Sequence, residues 1–261
     1  MTSRHPILLA AALLPLILSS PARAAEQPQG FDRSHATYTE VLARHVAGGL
    51  VDYVALRGDP ALGVYLARLA AVERSELTSW PEADQLAFWI NAYNAFTLRL
   101  ILDHAPLKSI RSIGFLPGAA FRKDFIRLRA AGPDPVSLDF IEHRTIRRLF
   151  GEPRAHFALV CASMSCPPLR SEAYRGADLD RQLEEATRAF LSDGRKNRYD
   201  AATRTLHLSA IFKWFHEDFE RASGSIPAFV ARHGPAALRD GVAAGATDVA
   251  YEPYDWSLNA R

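Results

Sequence analysis

Carboxylate, imidazole, thiol and hydroxyl groups crowd into one stretch of this chain. The segment Asp139-Phe140-Ile141-Glu142-His143-Arg144 sets an acid four residues before an imidazole. The segment His156-Phe157-Ala158-Leu159-Val160-Cys161-Ala162-Ser163-Met164-Ser165-Cys166-Pro167-Pro168 holds both cysteines of the sequence. On a helix Asp139 and His143 share a face, and a carboxylate beside an imidazole fixes its tautomer and raises its basicity, as a general base requires. Glu142 points about 100° away around the same helix and serves a different partner. Cys161 ends an apolar run of strand length and enters a loop of small hydroxyl residues, Ser163 among them, a setting in which nucleophiles are displayed. At about 3.3 Å per residue, His156 and Cys161 stand roughly 16 Å apart on opposite faces of such a strand. His156 therefore suits substrate contact, and His143, arriving from the preceding helix, is the base expected for Cys161.

The cysteines also support a structural reading. In an oxidising compartment a pair so close in sequence is by default a disulfide, and a Cys161–Cys166 bridge would make the loop a structural feature of a binding or scaffold protein. No C-x-x-C or H-E-x-x-H spacing is present, so neither a metal nor a cofactor is expected. A further pair, Asn91 and Asn94 in Trp89-Ile90-Asn91-Ala92-Tyr93-Asn94-Ala95-Phe96, lies three apart on one face of an apolar helix. Buried amides must find partners. Either they tie down a neighbouring loop, or Asn94 orients a catalytic group and Asn91 a substrate.

These residues need a scaffold. The pattern predicts helices over 35–46, 60–71 and 81–104, the last started by Trp80-Pro81 and an acidic first turn and stopped by Pro106. Apolar residues surround the 81–104 helix on nearly every side, which places it in the middle of a domain. A strand is expected over 125–129, a Ser137-capped helix over 138–150, a strand over 156–161, and a helix over 178–191. Strands at 195–200 and 205–208 joined by a turn, helices over 212–221 and 226–233, and a strand over 249–256 complete the pattern. Helices come first and strands mostly later. The fold class expected is α+β: a helical N-terminal half whose buried central helix packs on a small, mostly antiparallel sheet. Phe212-Lys213-Trp214-Phe215 and the aromatics between Tyr251 and Trp256 read as core residues sealing that sheet.

Composition bounds the partners. The 261 residues carry 31 Lys+Arg and 29 Asp+Glu, far from the positive field of a nucleic-acid binder. Residues 1–24 combine Arg4, the apolar run from Ile7 to Leu18 interrupted by Pro15, and Ala22-Arg23-Ala24, the three regions of a secretory signal peptide. A run of about twelve residues is too short to span a bilayer, which takes roughly twenty. No later stretch is long and charge-free enough for an integral membrane segment. The expected organisation is a signal peptide over 1–24, a flexible leader over 25–34 and a single domain over 35–259, periplasmic or secreted. Arg4 and Arg23 are the only charged residues of the first twenty-four, so the mature chain would hold 29 of each sign and no net charge.

Six ordered blocks carry a family resemblance: Gly49-Leu50-Val51-Asp52-Tyr53, Phe88 to Ala95, Ile141-Glu142-His143, His156 to Ser163 with Ser165-Cys166-Pro167, Leu208 to Phe215, and Tyr254-Asp255-Trp256-Ser257-Leu258-Asn259. Together they closely resemble the domain-of-unknown-function 547 family, from about residue 35 to residue 259. The resemblance implies a single α/β domain, often exported in bacteria, with a fold similar to papain-like cysteine hydrolases. In a papain-like fold the nucleophilic cysteine opens the central helix, and this chain has no cysteine there. Cys161 must then supply the sulfur, with His143 as base and Glu142, Asp139 or Asn94 as orienter. The function expected is a cysteine-dependent hydrolase or acyl transferase acting on a small-molecule or peptide substrate. The alternative is a non-catalytic periplasmic binding or scaffold protein with a Cys161–Cys166 disulfide.

Overall fold

The computed structural model describes residues 1–2, 30–245 and 248–261. Residues 3–24 of the expected signal peptide and 25–29 of the leader lie outside the described residues. From Phe31 onward the chain forms one unit. Helix α1 (Ala36–His45) leads through the hairpin β1 (Val46–Ala47) and β2 (Leu50–Val51) to α2 (Tyr53–Arg57), α3 (Pro60–Ala71) and α4 (Arg74–Thr78). Gly49 closes the hairpin at φ +83, and a Cβ there would sit 2.6 Å from Pro168 Cβ, so only glycine lets the loop after Cys166 approach so closely.

Helix α5 (Glu82–His104) forms as its apolar pattern predicts, and fifteen of its residues are buried, from Leu86 to Ile101. Its neighbours are α3 and two helical segments that follow it in the chain, Phe140–Phe150 and Gly176–Asp178. Ser137 Oγ accepts from the Phe140 amide at 3.1 Å, so the cap read from sequence is present. From Phe140 the backbone is wound as a π-helix. This conformation is rare at such length and is associated with functional sites. Asp139, Glu142 and His143 all line one cavity, so Glu142 does not serve a separate partner on another face.

The short helix α6 (Ala119–Arg122) precedes the π-helix, and α7 (Leu179–Leu191) follows it. Strands β3 (Arg198–Asp200) and β4 (Thr205–Ser209) pair antiparallel, and β5 (Asp248–Glu252) joins β4 in parallel. Between β4 and β5 come α8 (Ala210–Trp214), α9 (His216–Ser223), α10 (Ile226–His233) and α11 (Ala236–Ala243). The class is α+β, with small sheets of two and three strands. A large core surrounds α5, and a second one, built on Phe157, Phe190, Phe212, Phe219 and Phe229, lies beside the three-stranded sheet.

Four local expectations are corrected. The segment 156–161 is not a strand: Pro153–Phe157 is a 3-10 helix, and the chain then runs irregularly to Cys161. Pro153 and the Glu152 carboxylate, which accepts from Arg154 N at 3.0 Å, start that turn, and the following apolar residues are buried without joining a sheet. Residues 125–129 contribute a single bridge, Ile126 to Val136. The 212–221 helix is two helices broken near Phe215. The last strand ends at Glu252, because from Asp255 onward the backbone pairs with the cysteine loop. Among the described residues no helix is long and apolar enough to cross a membrane.

Candidate functional site

The C-terminal segment builds one wall. Met164 N donates to Ser257 O at 2.9 Å, Ser165 N to Asp255 O at 3.1 Å, and Asn259 N to Ala162 O at 3.3 Å. Tyr53 donates its hydroxyl to Asn259 Oδ1 at 2.8 Å, so the N-terminal hairpin region anchors the same segment. Tyr254 and Trp256 are thereby held against the cysteine loop. Their rings and that of Trp214 from α8 form a mutual cluster, with centroids 4.6 to 5.8 Å apart. These aromatics, read from sequence as core, line a cavity. Trp214 is 45% exposed, which places it at the rim.

The cavity measures about 190 Å³ and is also lined by Tyr93 from α5, Asp139, Glu142 and His143 from the π-helix, and His156, Cys161 and Cys166 from the loop. Of the residues expected from sequence to be catalytic, Cys161, His143 and Glu142 meet here. His156 joins them because the chain bends between it and Cys161, where the strand reading had set them on opposite faces. Asn94 does not line the cavity. Its amide donates to Ala158 O at 2.9 Å and its carbonyl accepts from Val160 N at 2.9 Å. Asn91 binds the Tyr174 backbone in the same two-ended way, at 2.7 and 3.0 Å. Both amides thus hold loops on α5, and Asn94 fixes the approach to Cys161.

Cys161 and Cys166 are joined by a disulfide. Ser163 Oγ lies 3.1 Å and Tyr254 OH 3.2 Å from Cys161 Sγ. The next residue, Ala162, has φ 58, a left-handed conformation that a non-glycine residue adopts only when its surroundings hold it there, as at functional sites. Glu142 is half-buried and lines the cavity. Burial pushes its carboxyl up from 4.5 to about 7, against the opposing hydrogen bond from Tyr93 and the charge of Arg147. Burial likewise raises the Tyr93 and Tyr254 phenols well above their usual range, and the Glu142 charge adds to both.

The two histidines differ. Arg147 Nη1 donates to His143 Nδ1 at 2.9 Å, which leaves the ring proton on Nε2, 3.4 Å from Asp139 Oδ1. The Asp139–His143 pair expected from sequence is therefore present, and both ring nitrogens are engaged. His156 faces Asp218 Oδ2 through Nε2 at 2.8 Å, stacks on Phe215 with centroids 3.9 Å apart, and has a buried Nδ1 without a partner. Burial lowers its basicity, against the pull of Asp218. Burial by itself would raise Asp218, but the bonds from His156 and from Arg147 Nε at 2.6 Å hold its carboxyl far below the ordinary range. Arg147 thus ties both histidines into one network. Asp218, Arg147 and Tyr93 went unnoticed as site residues in the sequence, and the three aromatics of the wall read there as core in preference to a ligand groove. Tyr93, Trp214, Tyr254 and Trp256 all sit in the six blocks, which was the available signal, whereas nothing in the local pattern marks Asp218. Among the described residues no group of three or more His, Cys, Asp or Glu side chains is arranged to hold a metal ion.

The model of the family described as Protein of unknown function, DUF547, matches residues 77–191. That span holds three of the six blocks and supports the resemblance there; Gly49–Tyr53, Leu208–Phe215 and Tyr254–Asn259 fall outside it. It contains α5, the π-helix, both cysteines and α7, hence Tyr93, Glu142, His143, His156 and Cys161. Asp218, Trp214, Tyr254 and Trp256 fall outside the DUF547 match, so the cavity is completed by segments beyond it. No curated protein and no solved structure matches the chain.

Proposed function

We propose that the cavity is the active site of a cysteine-dependent hydrolase or acyl transferase, competent when Cys161 is reduced. The observation that supports this reading best is that Cys161 and a Glu142 carboxyl that ionises near pH 7 line the same aromatic cavity. A group that titrates near the working pH is suited to take up and return a proton. In this reading Glu142 accepts the Cys161 thiol proton, and the Ser163 and Tyr254 hydroxyls donate to the thiolate, which attacks the acyl carbon of a small-molecule or peptide substrate. Glu142 then protonates the leaving group, and water or a second nucleophile releases the acyl chain from sulfur. His143 was the base expected from sequence. With both of its nitrogens engaged, it fits better as the group that fixes the π-helix face beside Glu142.

The test is release of p-nitrophenol from p-nitrophenyl acetate with and without reductant. Turnover should need reductant, vanish in Cys161→Ala and fall at least a hundredfold in Glu142→Gln, the scale of general acid–base catalysis being roughly 10² to 10⁴. A rate in Cys161→Ala equal to that of the parent would overturn the reading. The Cys161–Cys166 bond favours a second reading, a non-catalytic periplasmic binding or scaffold protein with a structural disulfide. Absence of thiol-dependent turnover, with a cavity that still binds apolar ligands, would select it. We also infer export, from residues 1–24. The intact mass of the mature protein should then correspond to a chain beginning at Ala25.

A further inference from the structure

We propose that the Cys161–Cys166 disulfide undergoes thiol–disulfide exchange with a small thiol entering the cavity, with Cys161 as the attacked sulfur and Cys166 as the leaving thiolate. This activity belongs to the oxidised protein and does not depend on acyl chemistry. Both cysteines line the cavity, so the bond is within reach of a molecule bound there. The two sulfurs differ in what surrounds them. Cys166 is 4% exposed, whereas Cys161 is partly accessible. The Cys161 backbone amide donates to Cys166 Sγ at 2.9 Å, while the Tyr254 and Ser163 hydroxyls lie within reach of both sulfurs, 3.3 and 3.4 Å from Cys166 Sγ and 3.2 and 3.1 Å from Cys161 Sγ, and can turn to Cys166 as its thiolate forms. Donors aimed at a sulfur stabilise its thiolate, and a more stable thiolate leaves faster.

The step is balanced as follows. A thiolate attacks Cys161 Sγ, a new sulfur–sulfur bond forms there, and the Cys161–Cys166 bond breaks with its electron pair leaving on Cys166 Sγ, which then takes a proton. A second thiolate attacks the small molecule's sulfur in the mixed disulfide, forming a free disulfide and leaving Cys161 as a thiol. Two small thiols are oxidised by two electrons, and the protein disulfide is reduced to two thiols. The volume of about 190 Å³ beside the Trp214–Tyr254–Trp256 wall is room for the cysteinyl arm of a small thiol such as glutathione, the rest of which stays at the open rim by the half-exposed Trp214.

The experiment treats the purified oxidised chain with glutathione, quenches with iodoacetamide and maps the products by mass spectrometry. Glutathione should appear on Cys161 and the carbamidomethyl group on Cys166. Tyr254→Phe, which keeps the ring packing, should slow formation of the mixed disulfide roughly fivefold through loss of one donor to the leaving sulfur, and Ser163→Ala should slow it less. Glutathione on Cys166, unchanged rates in both variants, or no mixed disulfide at millimolar glutathione would overturn the assignment. The site mapping uses the unaltered chain and so stands even where a variant misfolds. Because no acyl substrate is present, its outcome is separate from that of the esterase assay.

Discussion

Replacing Glu142 by Gln tests the electrostatics of the cavity apart from any turnover. Its carboxyl ionises at about 7 in the folded chain against an ordinary 4.5, with burial as the main cause. Below pH 4.5 the group is protonated in both states and contributes nothing to the pH dependence. As the pH rises through the window from 4.5 to 7 the unfolded chain releases the proton first, so the folded state binds more protons and stability falls; above 7 the penalty levels off. At about 1.4 kcal/mol per pH unit the full penalty is roughly 3 kcal/mol, and about 2 kcal/mol once solvent entering through the cavity is allowed for. Gln keeps the shape and the ability to face Tyr93 without the charge. Glu142→Gln should therefore melt about 4 to 8 °C above the parent at pH 8 and within about 2 °C of it at pH 4.5, since 1 kcal/mol corresponds to roughly 2 to 4 °C for a chain of this size. Thermal unfolding followed by circular dichroism at the two pH values is sufficient. An equal gap at both, or a variant less stable than the parent at pH 8, would refute an elevated Glu142.

Other perturbations have equally definite outcomes. Reducing the Cys161–Cys166 bond, which closes a loop with a sequence separation of five, should lower stability by at most about 2 kcal/mol in urea unfolding, because so short a loop removes little chain entropy. Asp218→Ala deprives the buried His156 and Arg147 of their shared partner and should cost about 3 kcal/mol at pH 7. The Asp218 carboxyl is depressed in the folded chain, so its contribution is present above its ordinary 3.8 and disappears as the pH falls through the folded value; the gap between Asp218→Ala and the parent should narrow in acid unfolding. Asn94→Ala orphans the Ala158 carbonyl and the Val160 amide, and about 2 to 4 kcal/mol of lost stability is expected in denaturant titration. An Asn94→Ala protein as stable as the parent would show that the loop has other ties.

Local pattern delivered the long helices, since Asp59 caps α3 and both α3 and α5 carry apolar residues at helical spacing. It also marked the Ser137 cap and the strand pair at Arg198–Asp200 and Thr205–Ser209. Residue chemistry alone named Cys161, His143 and Glu142, because few side chains can act as nucleophile or base. What it could not supply was distance. The 156–161 run is apolar enough for a buried strand, yet it is held by the two-ended Asn94 bonds and takes an irregular path, and that path puts His156 into the cavity with Cys161. The π winding of Phe140–Phe150 is likewise invisible to a 3.6-residue template, and Glu142 lines the same cavity as Asp139 and His143. The aromatics from Trp214 to Trp256 have the composition of a core. They line a cavity only because Ser257 and Asp255 pair with the cysteine loop, a contact between residues about ninety positions apart. Sequence thus determined which groups are present and which helices carry them. Burial, which lifts Glu142 to about 7, and long-range pairing, which gathers Cys161, His156 and Tyr254, are properties of the folded chain, because both depend on neighbours that sequence spacing does not bring together.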